Sequence, residues 1–173
     1  KQIRVVEIPY HHQAFYTFPN TIAISEKEGW YVDTTRLKER SYLYQTVASQ
    51  MLSLWLSEHL QTANVQGADM LNIALPEALS LLFLEEYLGM EAVEILIKKK
   101  QTLYDKNKYN EPNSEPDLIY ADGVDYLEKN KGAIAIYELI QALGKESFLN
   151  LTKEWITKSK DNLTVFSAYY EYL

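Results

Sequence analysis

The sequence contains no cysteine, and this absence removes three kinds of chemistry together. A chain without cysteine has no disulfide, no thiolate nucleophile and no cysteine-ligated metal. Histidine is scarce too, with three residues, so the supply of imidazole ligands and bases is small. Because disulfides are the usual sequence record of an oxidising environment, the compartment stays open.

Positive charge is in short supply, since 17 Lys and Arg residues stand against 24 Asp and Glu residues and the formal net charge is −7. Neutralising phosphates needs a basic face, so nucleic acid is excluded as a partner. The one basic run, 98–100, is interpreted as a solvated helix end. No apolar stretch approaches the roughly 18 to 20 residues that span a bilayer, so membrane contact is expected only through segments outside this chain.

The chain does contain enough apolar material for one core, being 47% hydrophobic and 13% aromatic over 173 residues. This size predicts a single domain over 1–173. Two runs rich in β-branched residues, 3–8 and 21–25, predict extended or edge-strand structure within 1–30. The sequence does not start with methionine, and we expect it to be a piece of a longer protein.

Helical spacing of apolar residues dominates 33–173, so we predict a mainly α (α+β) fold with one polar loop at 105–117. A long helix is predicted over 35–60, with Asp33 or Thr34 as its cap. Pro76 is expected in the first turn of an apolar helix that Gly89 ends. The remaining predicted helices cover 90–104, 134–143 and 147–159, and 161–173 is expected to be a final helix or a partly ordered tail.

The long predicted helix contains the segment 46–56, which reads TVASQMLSLWL. This segment resembles the zinc-binding helix of the aminopeptidase N-like (gluzincin) metallopeptidases, which reads roughly V-V-A-H-E-L-A-H-Q-W-F. Laid on that pattern without a gap, Ser49 and Ser53 fall on the two histidines, Gln50 on the catalytic glutamate and Trp55 on the tryptophan. The resemblance therefore implies a degenerate HExxH motif.

The chemistry of the motif explains why these changes matter. Two histidines four residues apart lie on one helix face and reach one Zn²⁺, while the glutamate takes a proton from the bound water. The hydroxyls of Ser49 and Ser53 are poor, neutral zinc ligands, and Gln50 has no titratable group. We therefore expect no catalytic residue, no metal ligand set and no cofactor.

Flanking segments resemble the same family in the same order. Segments 3–9 and 18–26 are similar to "VVEVP…GAMENPGLIxLSE", which puts Thr17 on the glutamate that binds the substrate's amino terminus.

Residues 75–80 resemble "LNEGFA", so Glu77 is the retained counterpart of the third zinc ligand. The family's HExxH-(x)18-E spacing would instead land on Asn72, and an insertion around 61–67 would explain the displacement. Residues 131–148 are similar to "YxKGAxVLxMLxxxLGEExF", with Lys129 in place of the oxyanion-stabilising tyrosine.

The resemblance implies the helical part of a thermolysin-like peptidase domain, without the family's amino-terminal β-sandwich and most of its active-site sheet. Alternatives stay open for single residues. Ser49 and Ser53 could form a new hydrolytic site or be hydroxyls bonded to helix carbonyls. Gln50 could orient a water or be a buried hydrogen-bond partner, and Glu77 could cap a helix or keep a weak cation site. His11 and His12 could be surface or hinge residues or hold a metal, and His59 is interpreted as a cation at the carboxy-terminal end of its helix. Tyr169, Tyr170 and Tyr172 could cover an interface or pack on the core of this chain.

Three functions of different classes are compatible with these residues. The first is a catalytically inactive peptidase-like scaffold or binding module, with a peptide, a protein or other domains of the same longer chain as partner. Similar domains occur in bacterial proteins attached to ABC-transporter permease segments, which suggests a transporter-associated protein. The second is a metallo-aminopeptidase with a rebuilt zinc site. The third is a purely structural interdomain piece.

Overall fold

The computed structural model of the chain describes residues 2–9, 15–109 and 114–173, and it confirms a mainly α fold with short strands. The strands are β1 (Arg4–Ile8), β2 (Phe15–Phe18), β3 (Thr21–Ser25), β4 (Gln61–Thr62) and β5 (Leu163–Thr164). The α-helices are α1 (Glu26–Gly29), α2 (Leu37–His59), α3 (Leu75–Leu88), α4 (Met90–Tyr109), α5 (Ala133–Leu143), α6 (Lys145–Lys158) and α7 (Phe166–Tyr172).

The amino-terminal segment forms a three-stranded sheet with the order β1-β3-β2. Strand β1 pairs with β3 in parallel and β2 pairs with β3 antiparallel, so β3 is central and its residues are mostly buried. The runs 3–8 and 21–25 are confirmed as strands. Strand β2 was not predicted, because four residues are too few to show a period of two clearly.

Helix α2 confirms the long helix predicted over 35–60, to within two residues at each end. The predicted cap is wrong: the residue before the helix is Arg36, whose side chain makes no capping bond. The Asp33 carboxylate instead accepts bonds from the backbone N–H and hydroxyl of Thr35, so it stabilises the preceding turn.

Helix α3 lies at the centre of the molecule and packs against α2, α4 and α5. It is apolar on most faces, and that composition suits an element surrounded by others. Gly89, with a φ of +82°, ends the helix as predicted. The fully enclosed side chains of α3 include Leu75, Ala78, Leu81 and Leu84.

Two π-helical turns, Met70–Ala74 and Leu127–Gly132, run without a break into α3 and α5. The two turns pack on each other at Gly132, where an added Cβ would lie 3.0 Å from the Met70 sulfur and 3.1 Å from the Ala74 Cβ. Pro76 is in the first turn of α3 as assigned, but the helical backbone continues from Met70. The prediction of a free helix start at Pro76 is therefore wrong.

The predicted loop 105–117 begins too early in the sequence, because α4 continues to Tyr109. Side-chain contacts one turn apart extend the helix: the Gln101 amide donates to Asp105, and the Asn107 amide donates to the Leu103 carbonyl oxygen. These polar residues had indicated a loop by composition alone. Residues 110–113 lie outside the described residues.

The carboxy-terminal third follows the predicted division into helices. Gly144, with a φ of +83°, separates α5 from α6 as expected. Two features were not predicted: β5 pairs in parallel with β4, and only 166–172 of the last segment is helical. In α7, Tyr169 is buried against Phe148 and Trp155 in the core of this same chain.

Among the helices of the described residues, none combines the length and the apolar character needed to cross a bilayer.

Candidate functional site

The candidate site lies where β2 and β3 pass over α2. The Thr17 hydroxyl on β2 donates to the side-chain carbonyl of Gln50 on α2. These two residues, 33 positions apart, are the ones that the family pattern matched to the substrate-binding and the catalytic glutamates. The structure brings them together as a neutral hydroxyl-to-amide pair.

Ser49 is the neighbour of Gln50 and is 1% exposed. Its hydroxyl donates to the Thr46 carbonyl oxygen at 3.1 Å, and the Gln50 amide nitrogen lies 3.5 Å from the Ser49 oxygen. A serine that bonds back to its own helix is satisfied without any ligand. This geometry agrees with the plainer interpretation of Ser49.

Ser53 lies one helical turn further along α2 and faces the first π-helical turn. Its hydroxyl donates to the Asn72 carbonyl oxygen at 3.4 Å, and the Asn72 side-chain oxygen accepts a bond from Thr62 at 2.8 Å. Asn72 is the residue on which the family's ungapped glutamate spacing falls. The residue in contact with Ser53 is thus a neutral amide in this chain.

Glu77 lies elsewhere, in a buried network that joins α2, α3 and α4. Its carboxylate accepts bonds from the Gln45 amide and from the Lys100 ammonium, the latter at 2.7 Å. Lys100 is 7% exposed and also donates to the Lys129 carbonyl oxygen at 2.7 Å. The Gln45 amide also lies 3.2 Å from the Ser80 hydroxyl. The negative charge of Glu77 is therefore matched by an ammonium within the fold.

The interpretation of Glu77 as a helix cap is wrong. Glu77 is in the first turn of α3, but that turn continues from the π-helical turn, so its N–H groups already have helical partners. The dipole of a free helix start is absent at this position. The ion pair with Lys100 is the contact that accounts for the carboxylate.

Lys129 points its side chain away from this network. The ammonium pairs with Asp125 one turn earlier, at 2.9 Å, on a partly exposed surface. Its backbone carbonyl, rather than its side chain, joins Lys129 to Lys100 and so to Glu77. Within the part of the chain that is described, the Lys129 ammonium makes no hydrogen bond with Thr17 or Gln50.

The basic run 98–100 is not a solvated helix end, because α4 continues nine residues beyond Lys100. Lys100 is buried with Glu77, and the Lys99 ammonium lies 3.4 Å from the centre of the Tyr42 ring. Burial lowers the pKa of Lys99 and raises the pKa of Tyr42 to about 12. Lys100 therefore serves packing inside the fold, whereas Lys99 stays on the surface of α4 against the Tyr42 ring.

Metal-ligating side chains are dispersed over the described residues, which contain no group of three or more His, Asp or Glu placed to hold an ion. His59 ends α2, where its ring stacks on Trp55 and its Nδ1 lies 2.7 Å from the Trp55 carbonyl oxygen. His11 and His12 lie outside the described residues. The side chains at the motif positions offer neutral hydrogen-bonding groups in place of ligands.

Sequence reasoning did not find the roles of Gln45 and Lys100 in this region. A signal existed for both of them. Gln45 is four positions before Ser49 and so shares its helix face. Lys100 continues the apolar stripe of Leu96 at the same spacing, which places it on the buried face. For Asn72, only the ungapped family spacing indicated its place.

Comparison with protein-family models, with curated proteins and with solved structures found no match for this chain.

Proposed function

We propose that this chain is a catalytically inactive, aminopeptidase N-like domain that serves as a scaffold or as a peptide- or protein-binding module of a larger protein. The observation that carries this proposal is the contact of Thr17 with Gln50. In a working gluzincin the matching positions are two carboxylates with separate tasks. Here their counterparts are uncharged and bonded to each other.

The chemistry of the site supports binding and opposes hydrolysis. Thr17, Ser49, Gln50, Ser53 and Asn72 can donate and accept hydrogen bonds, but none titrates near neutral pH as a general base must. Serine activation needs a neighbouring base, and the Ser49 hydroxyl is committed to a helix carbonyl. Such a site can bind a peptide, but it has no base that would activate a water molecule to hydrolyse the peptide bond.

A binding mode follows from the position of β2. Among the described residues this strand is at one edge of the sheet, and its Thr17 contacts Gln50 on α2. The backbone of an edge strand can pair with an extended peptide, and adjacent side chains then supply selectivity. The transporter-associated context that the family resemblance suggests is part of the proposal, with the partner being a peptide, a protein or another domain of the longer chain.

The test is a joint measurement of binding and cleavage. Short fluorescein-labelled peptides with alternating apolar and polar residues are titrated by anisotropy, and the recovered peptides are weighed by mass spectrometry. We expect saturable binding of peptides that stay intact, weakened at least several-fold by Gln50→Ala or Thr17→Ala.

The matched controls are Gln141→Ala and Thr157→Ala, two exposed residues of the same types on α5 and α6. They should leave the affinity unchanged. Cleaved peptides would show a working hydrolase. Absence of binding for every peptide would favour the purely structural role.

A further inference from the structure

A large apolar groove lies between the sheet and α2, at the β1 edge of the sheet. Its volume is about 920 Å³, within the usual size range of protein binding sites. The walls come from β1, α2, α3 and α6, and the charged residues that line it are Glu86, Lys145 and Lys153. The apolar lining includes Val5, Trp30, Tyr44, Met51, Trp55 and Phe83.

The floor of this groove is an uncovered face of α2. Tyr44, Met51 and Trp55 recur at helical spacing and are 40–45% exposed. The opposite face of the same helix packs on α3. A contiguous exposed apolar surface of this kind marks an interaction site in a soluble protein.

Strand β1 borders the groove and is an edge strand among the described residues. The Arg4 N–H donates to the Asn20 carbonyl oxygen at 2.9 Å, so the backbone groups of Arg4 point towards β3. Because backbone groups alternate along a strand, those of Val5 and Glu7 point away from β3. Within 2–9, 15–109 and 114–173, the outward donors and acceptors of β1 thus have no strand partner, and they lie beside an apolar groove.

We propose that an extended polypeptide segment from outside this chain adds to the sheet at β1 and covers the groove. Only an extended backbone matches the spacing of the outward N–H and C=O groups of Val5 and Glu7. An added strand would lie about 4.8 Å from β1, and its alternate side chains would point to the groove face. The partner is therefore a segment with apolar residues at every second position.

This inference rests on the proposed function in one respect, which is that the partner is a polypeptide. The binding edge is β1, at the opposite edge of the sheet from β2. A helix would not match β1, because its backbone groups are already bonded internally. The apolar groove and the β1 edge are adjacent through Val5, which belongs to both. One occupant accounts for the two features together.

The experiment uses three labelled peptides of about nine residues, somewhat longer than β1, with Val, Leu or Phe at alternate positions and Lys or Thr between them. Binding is measured by anisotropy against the unchanged chain and against Glu7→Pro. Proline removes the outward N–H without breaking the β1-β3 pairing. We expect at least tenfold weaker binding, and hydrogen-exchange protection of the Val5 and Glu7 amides in the complex.

Two pairs of variants keep the test sharp. Glu7→Thr keeps the N–H and should bind as the unchanged chain does. Met51→Lys puts a charge in the groove and should weaken binding at least tenfold, whereas Met90→Lys, at a methionine of similar exposure outside the groove, should not. The second pair applies even if proline perturbs β1.

Equal affinity of Glu7→Pro and Glu7→Thr, with Met51→Lys also without effect, would overturn the inference. So would the failure of all three peptides to bind below about 1 mM. Binding that Gln50→Ala abolishes and Glu7→Pro leaves intact would assign the peptides to the β2 edge, supporting the proposed function and overturning this inference.

Discussion

At the scale of single residues, Glu128 is the carboxyl group least suited to its surroundings. It is fully buried, and one carboxylate oxygen accepts the Val124 N–H at 2.9 Å while the other has no partner within the described residues. Burial raises the pKa of Glu128, and the negative charges of Asp69 and Asp125 add to this, against the opposing effect of the Val124 bond. The folded state therefore holds this proton more tightly than the unfolded chain.

The first prediction concerns pH and Glu128. A carboxyl group whose folded pKa lies above its ordinary value of 4.5 costs stability as the pH rises from that value through the folded pKa. Glu128→Gln keeps the acceptor oxygen and cannot ionise. We expect the variant to be more stable than the unchanged chain at pH 7 and the difference to vanish near pH 4, measured by urea unfolding across that range.

The control for this prediction is Glu138→Gln, at an exposed position of α5. It should shift the free energy of unfolding little at any pH. A Glu128→Gln variant that is less stable at pH 7 would show that the ionised carboxylate is held by a favourable partner.

The second prediction concerns the motif positions. Restoring Ser49→His, Gln50→Glu and Ser53→His together should not create robust aminopeptidase activity. Thr17 and Lys129 would leave the substrate amine and the oxyanion unsupported, each loss costing about 3 kcal/mol of transition-state stabilisation by analogy with oxyanion-hole deletions. The assay is hydrolysis of aminoacyl fluorogenic substrates with added zinc, and strong turnover would contradict the assigned register.

Residue-scale prediction from sequence worked where one helix face decides the outcome. One interpretation of Ser49 was a hydroxyl bonded to a carbonyl of its own helix, and the structure agrees. Glu77 and Lys100 were assigned wrongly. The two residues are 23 positions apart and lie on different helices, and the spacing of residues within one helix does not reveal a contact between two helices. The Thr17 and Gln50 contact was reachable only through the family resemblance.

At the scale of elements, the Glu77 and Lys100 pair holds three helices in place. Both side chains are nearly enclosed, and the pair also engages Gln45 on α2 and the Lys129 carbonyl. Removing one partner of a buried pair leaves an uncompensated charge, which is the costly case. The pair therefore organises the contact between α2, α3 and α4.

The third prediction is that Lys100→Met lowers the free energy of unfolding by about 3 to 5 kcal/mol. The double variant Lys100→Met with Glu77→Leu should recover most of that loss, because no charge is then left buried. Chemical denaturation of the single and double variants measures both values.

Lys129→Met is the matched control, because its ammonium pairs with exposed Asp125 and should contribute under about 1 kcal/mol. Equal losses for Lys100→Met and Lys129→Met would contradict the assigned role of the buried pair. So would a double variant as unstable as the single one.

Element boundaries followed local signals in some places and tertiary packing in others. Gly89 and Gly144 ended helices as predicted, since both adopt positive φ angles that favour glycine. The start of α3 was misplaced because the packed turn Met70–Ala74 continues the helix upstream of Pro76. The short strands β4 and β5 pair over 100 residues apart, which sequence periodicity does not reveal.

At the scale of the whole molecule, the sheet covers only part of α2. Strands β2 and β3 contact this helix, while the face that carries Tyr44, Met51 and Trp55 lies open beside β1. The mainly α class was predictable from composition and periodicity. The uncovered groove was not, because apolar residues at helical spacing predict a core whether or not the fold covers them.

The face of α2 that bears Ser49, Gln50 and Ser53 presents neutral side chains, and we predict that it holds no divalent ion. The fourth prediction, and the most direct test, is the zinc content of the chain after equilibration with Zn²⁺ and desalting, measured by elemental analysis beside a Ser49→Ala and Ser53→Ala double variant. We expect both samples to retain far less than one ion per chain, since serine hydroxyls are poor zinc ligands. One tightly held zinc ion per chain, lost in the double variant, would contradict the account.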